Sequence, residues 1–122
     1  MTETRTAIIY IEKDIIFLTY KEKADVGVEE IEENIKVKTE MQKGKPMKTL
    51  VDVRGVWQYS DEARKIVGGE EFKKITIAMA VVTGKSLPIK MIANFFMRIN
   101  KPLTPTKLFG TKEKALLWLK NI

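Results

Sequence analysis

The sequence predicts an α/β domain, a mixed sheet of about five strands with an N-terminal hairpin and about four helices packed against the sheet. Three observations lead there. Two runs of β-branched and aromatic residues open the chain around a short polar turn, which marks a hairpin. After them, strand-like and helix-like segments alternate, as parallel strands with crossover helices do. The stretch Met47 to Val67 then runs from a buried strand through a turn into a helix, half of a β-α-β unit. The 122 residues suffice for one domain with one core, spanning 1–122.

The hairpin is Thr4 to Ile11 and Ile15 to Tyr20, joined by Glu12-Lys13-Asp14. The turn lacks glycine, so its type stays open. Val28 to about Lys43 is the first helix, with Val28, Ile31 and Ile35 on one stripe. Acidic residues fill its first turns and lysines follow, which suits the helix dipole. Gly44 and Pro46 stop it. Leu50 to Val53 is the central strand, Arg54-Gly55 a turn, and Val56-Trp57-Gln58-Tyr59 an aromatic loop. Ser60 caps the next helix, where Ala63, Ile66 and Val67 face the core. Gly68-Gly69 either ends that helix or breaks it before Glu70 to Lys74.

Ile75 to Thr83 is apolar on both faces, as a strand covered on both sides should be. Its small residues Thr76, Ala78 and Ala80 share a face that can let a helix approach closely. Leu87 to Asn100 reads as a helix between Ser86 and Pro102. Ile89, Ile92, Ala93, Phe96 and Ile99 make its core stripe, and Met91, Phe95 and Met97 widen the apolar face beyond ordinary one-sided packing. That face either wedges between neighbours in its own domain or meets a ligand, a lipid or a second subunit. Thr106 to Phe109 is a last strand. Thr111 to Ile122 is a last helix, with Ala115, Trp118, Leu119 and Ile122 on one face.

Composition closes most chemistry. There is no histidine and no cysteine. That removes thiolate zinc sites, disulfides, cysteine nucleophiles and histidine general bases. No metal site, cofactor or catalytic residue is expected, and the reading is non-enzymatic. No apolar run reaches the roughly 18 residues of a membrane span. The amino terminus does not read as a signal peptide, so a cytoplasmic location is expected. The net charge of +6 is uneven: residues 84 to 122 hold eight Lys/Arg against the single acid Glu113, giving +7. This suggests an acidic partner surface, an anionic lipid surface or nucleic acid, or simply serves solubility. No aromatic-basic motif of a nucleic-acid module is present, which places nucleic acid last among partners.

Gly84-Lys85-Ser86 follows a strand and opens a helix, but position 79 is Met where a P-loop needs glycine. Lys85, Ser86 and the helix start can still hold one anion. Asp52 and Arg54 alternate on one face of the central strand and read as a structural pair. Trp57 and Tyr59 are either contacts for a partner or fold back onto the core.

The stretches LVDVRGVWQYSDEA, ITIAMAVV and LFGTKEKALLWL resemble the strands and helices of STAS domains, the fold of the anti-sigma-factor antagonist SpoIIAA. The run NFFMRINKPLTPTKLFGTKEKALLWL is similar to small SpoIIAA-like bacterial proteins. The resemblance covers about three-quarters of the chain. It implies a SpoIIAA-like fold and a regulatory module that binds another protein, through a face of Arg54, Trp57, Tyr59, Ser60 and Asp61. The family's phosphorylated serine falls on Asp61, with Ser60 one residue earlier. A permanent charge stands there where a phospho-switch needs a removable one. The related CRAL-TRIO fold holds apolar molecules. The alternative is therefore a small apolar ligand or lipid between helix 87–100 and the sheet, with Met91, Phe95 and Met97 as ligand or homodimer contacts.

Overall fold

The computed structural model describes residues 1–85, 91 and 101–122. Eight strands are formed: β1 (Thr2–Glu3), β2 (Ala7–Glu12), β3 (Ile15–Tyr20), β4 (Ala24–Val26), β5 (Met47–Asp52), β6 (Val56–Tyr59), β7 (Thr76–Val82) and β8 (Thr106–Phe109). Six of them make one sheet in the order β1-β2-β3-β5-β7-β8, and β4 pairs with β6 in a second, two-stranded sheet. The hairpin side is antiparallel; β3, β5, β7 and β8 are parallel. The sheet is therefore mixed, as expected, with additional short strands.

Glu12 pairs with Ile15, so the hairpin loop is the two residues Lys13 and Asp14. Both take positive φ, 49° and 66°. That is the backbone of a two-residue primed turn, whose twist matches the flanking strands. The sequence hid it because glycine usually occupies such positions.

The described helices are α1 (Val28–Met41), α2 (Asp61–Val67), α3 (Glu70–Ile75) and α4 (Lys112–Lys120). Gly68 closes α2 and Gly69 opens α3, so the segment from Ser60 breaks at the glycine pair. Strand alternation sends side chains to two cores. Ile16, Leu18, Met79 and Val81 meet α1 to α3 through Ile31, Val67 and Phe72. Phe17, Leu50, Ala78 and Ala80 meet α4 through Ala115 and Leu119. The small face of β7 thus admits α4. Two stripe residues depart from expectation: Val28 and Ile122 are exposed. On α1 the inward positions are instead Ile31, Asn34 and Lys38. The expected helix at 87–100 lies outside the described residues, apart from Met91.

Candidate functional site

The site begins where β5 ends. Asp52 is buried there. Its carboxylate accepts from the Arg54 amide at 3.0 Å, from Arg54 Nε at 3.0 and 3.1 Å, and from Nη2 at 2.6 Å. A forked pair of this kind fixes direction as well as charge. It holds the Arg54 guanidinium above its ordinary range. The Arg54 stem crosses Gly84, where a Cβ would stand 3.1 Å from its methylenes. The turns after β5 and β7 are thereby brought together.

Gly55 then lets the chain pass close to the preceding strand. A Cβ there would stand 2.6 Å from the Lys21 carbonyl oxygen. This close approach allows Val56 to Tyr59 to pair in parallel with Ala24 to Val26. The expected aromatic loop is therefore a strand, β6. Plain alternation would put its two aromatics on one face, but the ladder skips Trp57: Ala24 pairs with Val56, Asp25 with Gln58 and Val26 with Tyr59, and this extra residue separates them. Trp57 is 72% exposed. Tyr59 turns inward, its ring edge-on to Tyr20 at 6.1 Å.

Between β6, the sheet and helices α1 to α3 lies a cavity of about 500 Å³. Leu18, Val51, Val81 and Leu108 form its apolar floor, and Ile31, Ile35, Val67 and Phe72 its helical wall. Of the acidic side chains among the described lining residues, there is only Glu22, which is exposed at the surface.

Apart from Glu22, the polar lining is cationic or neutral. Burial pushes the Tyr20 phenol up to about 12, against the neighbouring Tyr59 and Asn34. Burial raises Tyr59 as well, with Tyr20 adding and the Arg64 charge opposing. Both phenols stay protonated at neutral pH and can donate. Asn34 is held by Thr4, whose hydroxyl donates to Oδ1 at 2.6 Å, and donates to Thr6 at 3.0 Å. The Arg64 side chain is 14% exposed and pairs through Nη2 with exposed Asp61. Its Nε is buried and has no partner among the described residues.

Lys38 is the largest side chain buried to this extent, at 1% exposure. Its ammonium donates to the Ile75 carbonyl at 3.3 Å and Thr76 Oγ1 at 3.0 Å, and stands 5.0 Å from the Phe72 ring centre. With no carboxylate partner, burial lowers it to about 7. Its lining contribution is therefore chiefly its methylene stem.

A family model described as "Domain of unknown function (DUF7793)" matches residues 9–122. The chain belongs to the DUF7793 family. Among solved structures it is similar to an uncharacterized protein of the DUF3478 family with a SpoIIAA-like fold, from Shewanella loihica PV-4. That likeness has a TM-score of 0.61 over 98% of each chain at 21% identity. At that identity the likeness is one of fold, and this DUF7793 member has a SpoIIAA-like fold. A search of the curated proteins finds no match.

In this DUF7793 member the expected interaction face divides. Arg54, Trp57 and Tyr59 all line the cavity, but Arg54 and Trp57 are exposed to solvent, whereas Tyr59 is half-buried. Ser60 accepts from the Ala63 amide at 3.1 Å as the cap of α2, and Asp61 faces Arg64. Lys85 is exposed, and its expected partner in anion binding, Ser86, lies outside the described residues. Met91 is exposed; Phe95 and Met97 lie outside the described residues. Among the described residues no helix is long and apolar enough to cross a membrane, and no cluster of three acidic side chains could hold a metal. Sequence reasoning missed Asn34, Lys38 and Arg64. The signal for the first two was their spacing, since 31, 34 and 38 share one helical face.

Proposed function

We propose that this domain is a non-catalytic binding module whose cavity takes a small apolar ligand. The observation that carries this is the cavity of about 500 Å³ with an apolar floor and helical wall. Small-molecule sites fall at roughly 300–1,000 Å³ and combine apolar walls with a few convergent polar groups. The non-catalytic part rests on chemistry. The chain has no histidine or cysteine, and Asp52 is held by Arg54. Native mass spectrometry after detergent-free purification tests the reading. A ligand adduct is expected, and Val51→Trp, which fills the floor, should lose it. A wild-type protein that neither carries nor takes up an apolar molecule overturns it.

A second reading, docking of a partner protein in a regulatory role, has its own observation. Trp57 stands 72% exposed beside Arg54, whose side chain is 53% exposed. Exposed Trp and Arg are the residue types that anchor protein interfaces. Arg54 and Trp57 also line the cavity, so a docked partner and a bound ligand would meet along β6.

A further inference from the structure

We infer that the ligand is an acid, with an apolar body on the cavity floor and a single carboxylate head held at Arg64 and Tyr59. This rests on the cavity reading above and names the ligand class. Tyr20, Tyr59 and Arg64 all line the cavity, and all can donate. Arg64 is near enough for its charge to act on the Tyr59 phenol. Its Nε–H is buried and unpaired among the described residues. A buried donor without an acceptor is unfavourable, and a charged donor more so. An alcohol or hydrocarbon gives the guanidinium no countercharge, whereas a carboxylate seated against the Arg64 and Tyr59 lining would supply one.

The competing partners do not remove this demand. Asp61 meets Nη2 from the solvent side and is 64% exposed, so water and salt weaken that pair. Lys38 cannot serve as the head-group site in the same way, because Ile75 and Thr76 already take its ammonium. Leu18, Val51, Val81 and Leu108 would meet the ligand's apolar body.

Calorimetric titration of the full chain with decanoate and with decanol at neutral pH separates the two levels of the argument. Wild type should bind decanoate at least about tenfold more tightly than decanol, the scale of one charge-assisted hydrogen bond. Arg64→Gln should erase that preference, and its continued binding of decanol would show that the variant's cavity is intact. Equal wild-type affinity for both compounds would overturn the acid head-group and leave the cavity reading standing. A preference for decanoate that survives Arg64→Gln would equally remove Arg64 from the role. Binding of neither compound would end both.

Discussion

The ammonium of Lys38 donates to the carbonyl oxygen of Ile75 at 3.3 Å, closing the carboxyl end of α3 from the facing helix. Gln42, one turn further along α1, donates to the same oxygen at 2.8 Å. A helix end is the negative pole of its dipole and leaves carbonyls unpaired, so a cation is well placed there. Burial nevertheless works against the charge and lowers Lys38 from 10.5 to about 7.

That shift sets a pH dependence. Between about 7 and 10.5 the unfolded chain holds a proton on Lys38 that the folded protein lacks, so stability rises with pH across that window. Tyr20, raised to about 12, acts in the opposite sense above its ordinary value of 10, where the unfolded chain loses a proton first. Urea midpoints should climb from pH 7 toward 10 and then fall. The climb should be on the order of 2–4 kcal/mol. Lys38→Met should flatten it, and a level wild-type profile would refute the assignment.

Ser60 gives a second test. Its hydroxyl accepts the Ala63 amide at 3.1 Å. Ser60→Ala should lose about 1 kcal/mol of stability by denaturant unfolding. Ser60→Asp should lose little, because a carboxylate both caps the helix and favours its dipole. Equal losses in the two variants would mean that the cap does not matter.

Gly55→Ala should be harmful without changing any charge or polar group. The new methyl would meet the Lys21 carbonyl at 2.6 Å, so β6 must shift from β4. A cost of about 1–3 kcal/mol is expected from overpacking of this kind. Ligand affinity should fall as well, since β6 forms one wall of the cavity. Unchanged unfolding and binding would show that the strand can yield.

These residues also show what the sequence displayed. Periodicity or an unbroken apolar run was enough for the hairpin, α1, β5, β7, β8 and α4, because each buries at least one face, and β7 both, against large neighbours. β6 was not visible as a strand: its four residues pair only with the three of β4, about thirty positions earlier. Lys38 read as one of the lysines that suit the dipole of α1, although its position falls on the inward face. Nothing in the spacing of α2 singled out Arg64. The cavity belongs to no segment, because its walls come from β3, β5, β6, β7, β8 and three helices at once.

The unequal exposure of the two β6 aromatics separates the two functional readings. Trp57→Ala removes an exposed ring and should change stability by no more than about 0.5 kcal/mol. If a partner protein docks here, capture of that partner should still be lost. Tyr59→Phe deletes a buried hydroxyl beside Arg64 and should weaken acid binding while sparing partner capture. Opposite outcomes, with Trp57→Ala harming only the ligand, would place the docking face elsewhere.

The far end of the sheet offers the last test, one that should alter stability alone. Ile15 pairs with Lys48 and Thr19 with Asp52, so the Lys13-Asp14 turn lies at the opposite end of the parallel strands from Arg54. Both turn residues hold positive φ without being glycine. The left-handed region is unfavourable by roughly 1 kcal/mol for an ordinary side chain. Asn-Gly is the pair that best fits a two-residue primed turn, although glycine also loosens the unfolded chain. Lys13→Asn with Asp14→Gly should therefore gain about 0.5–1 kcal/mol, the usual yield of a compatible turn substitution. Decanoate affinity should not move. A loss of stability would mean that the loop is not a two-residue turn in solution, and the register from Glu12 and Ile15 onward would have to be redrawn.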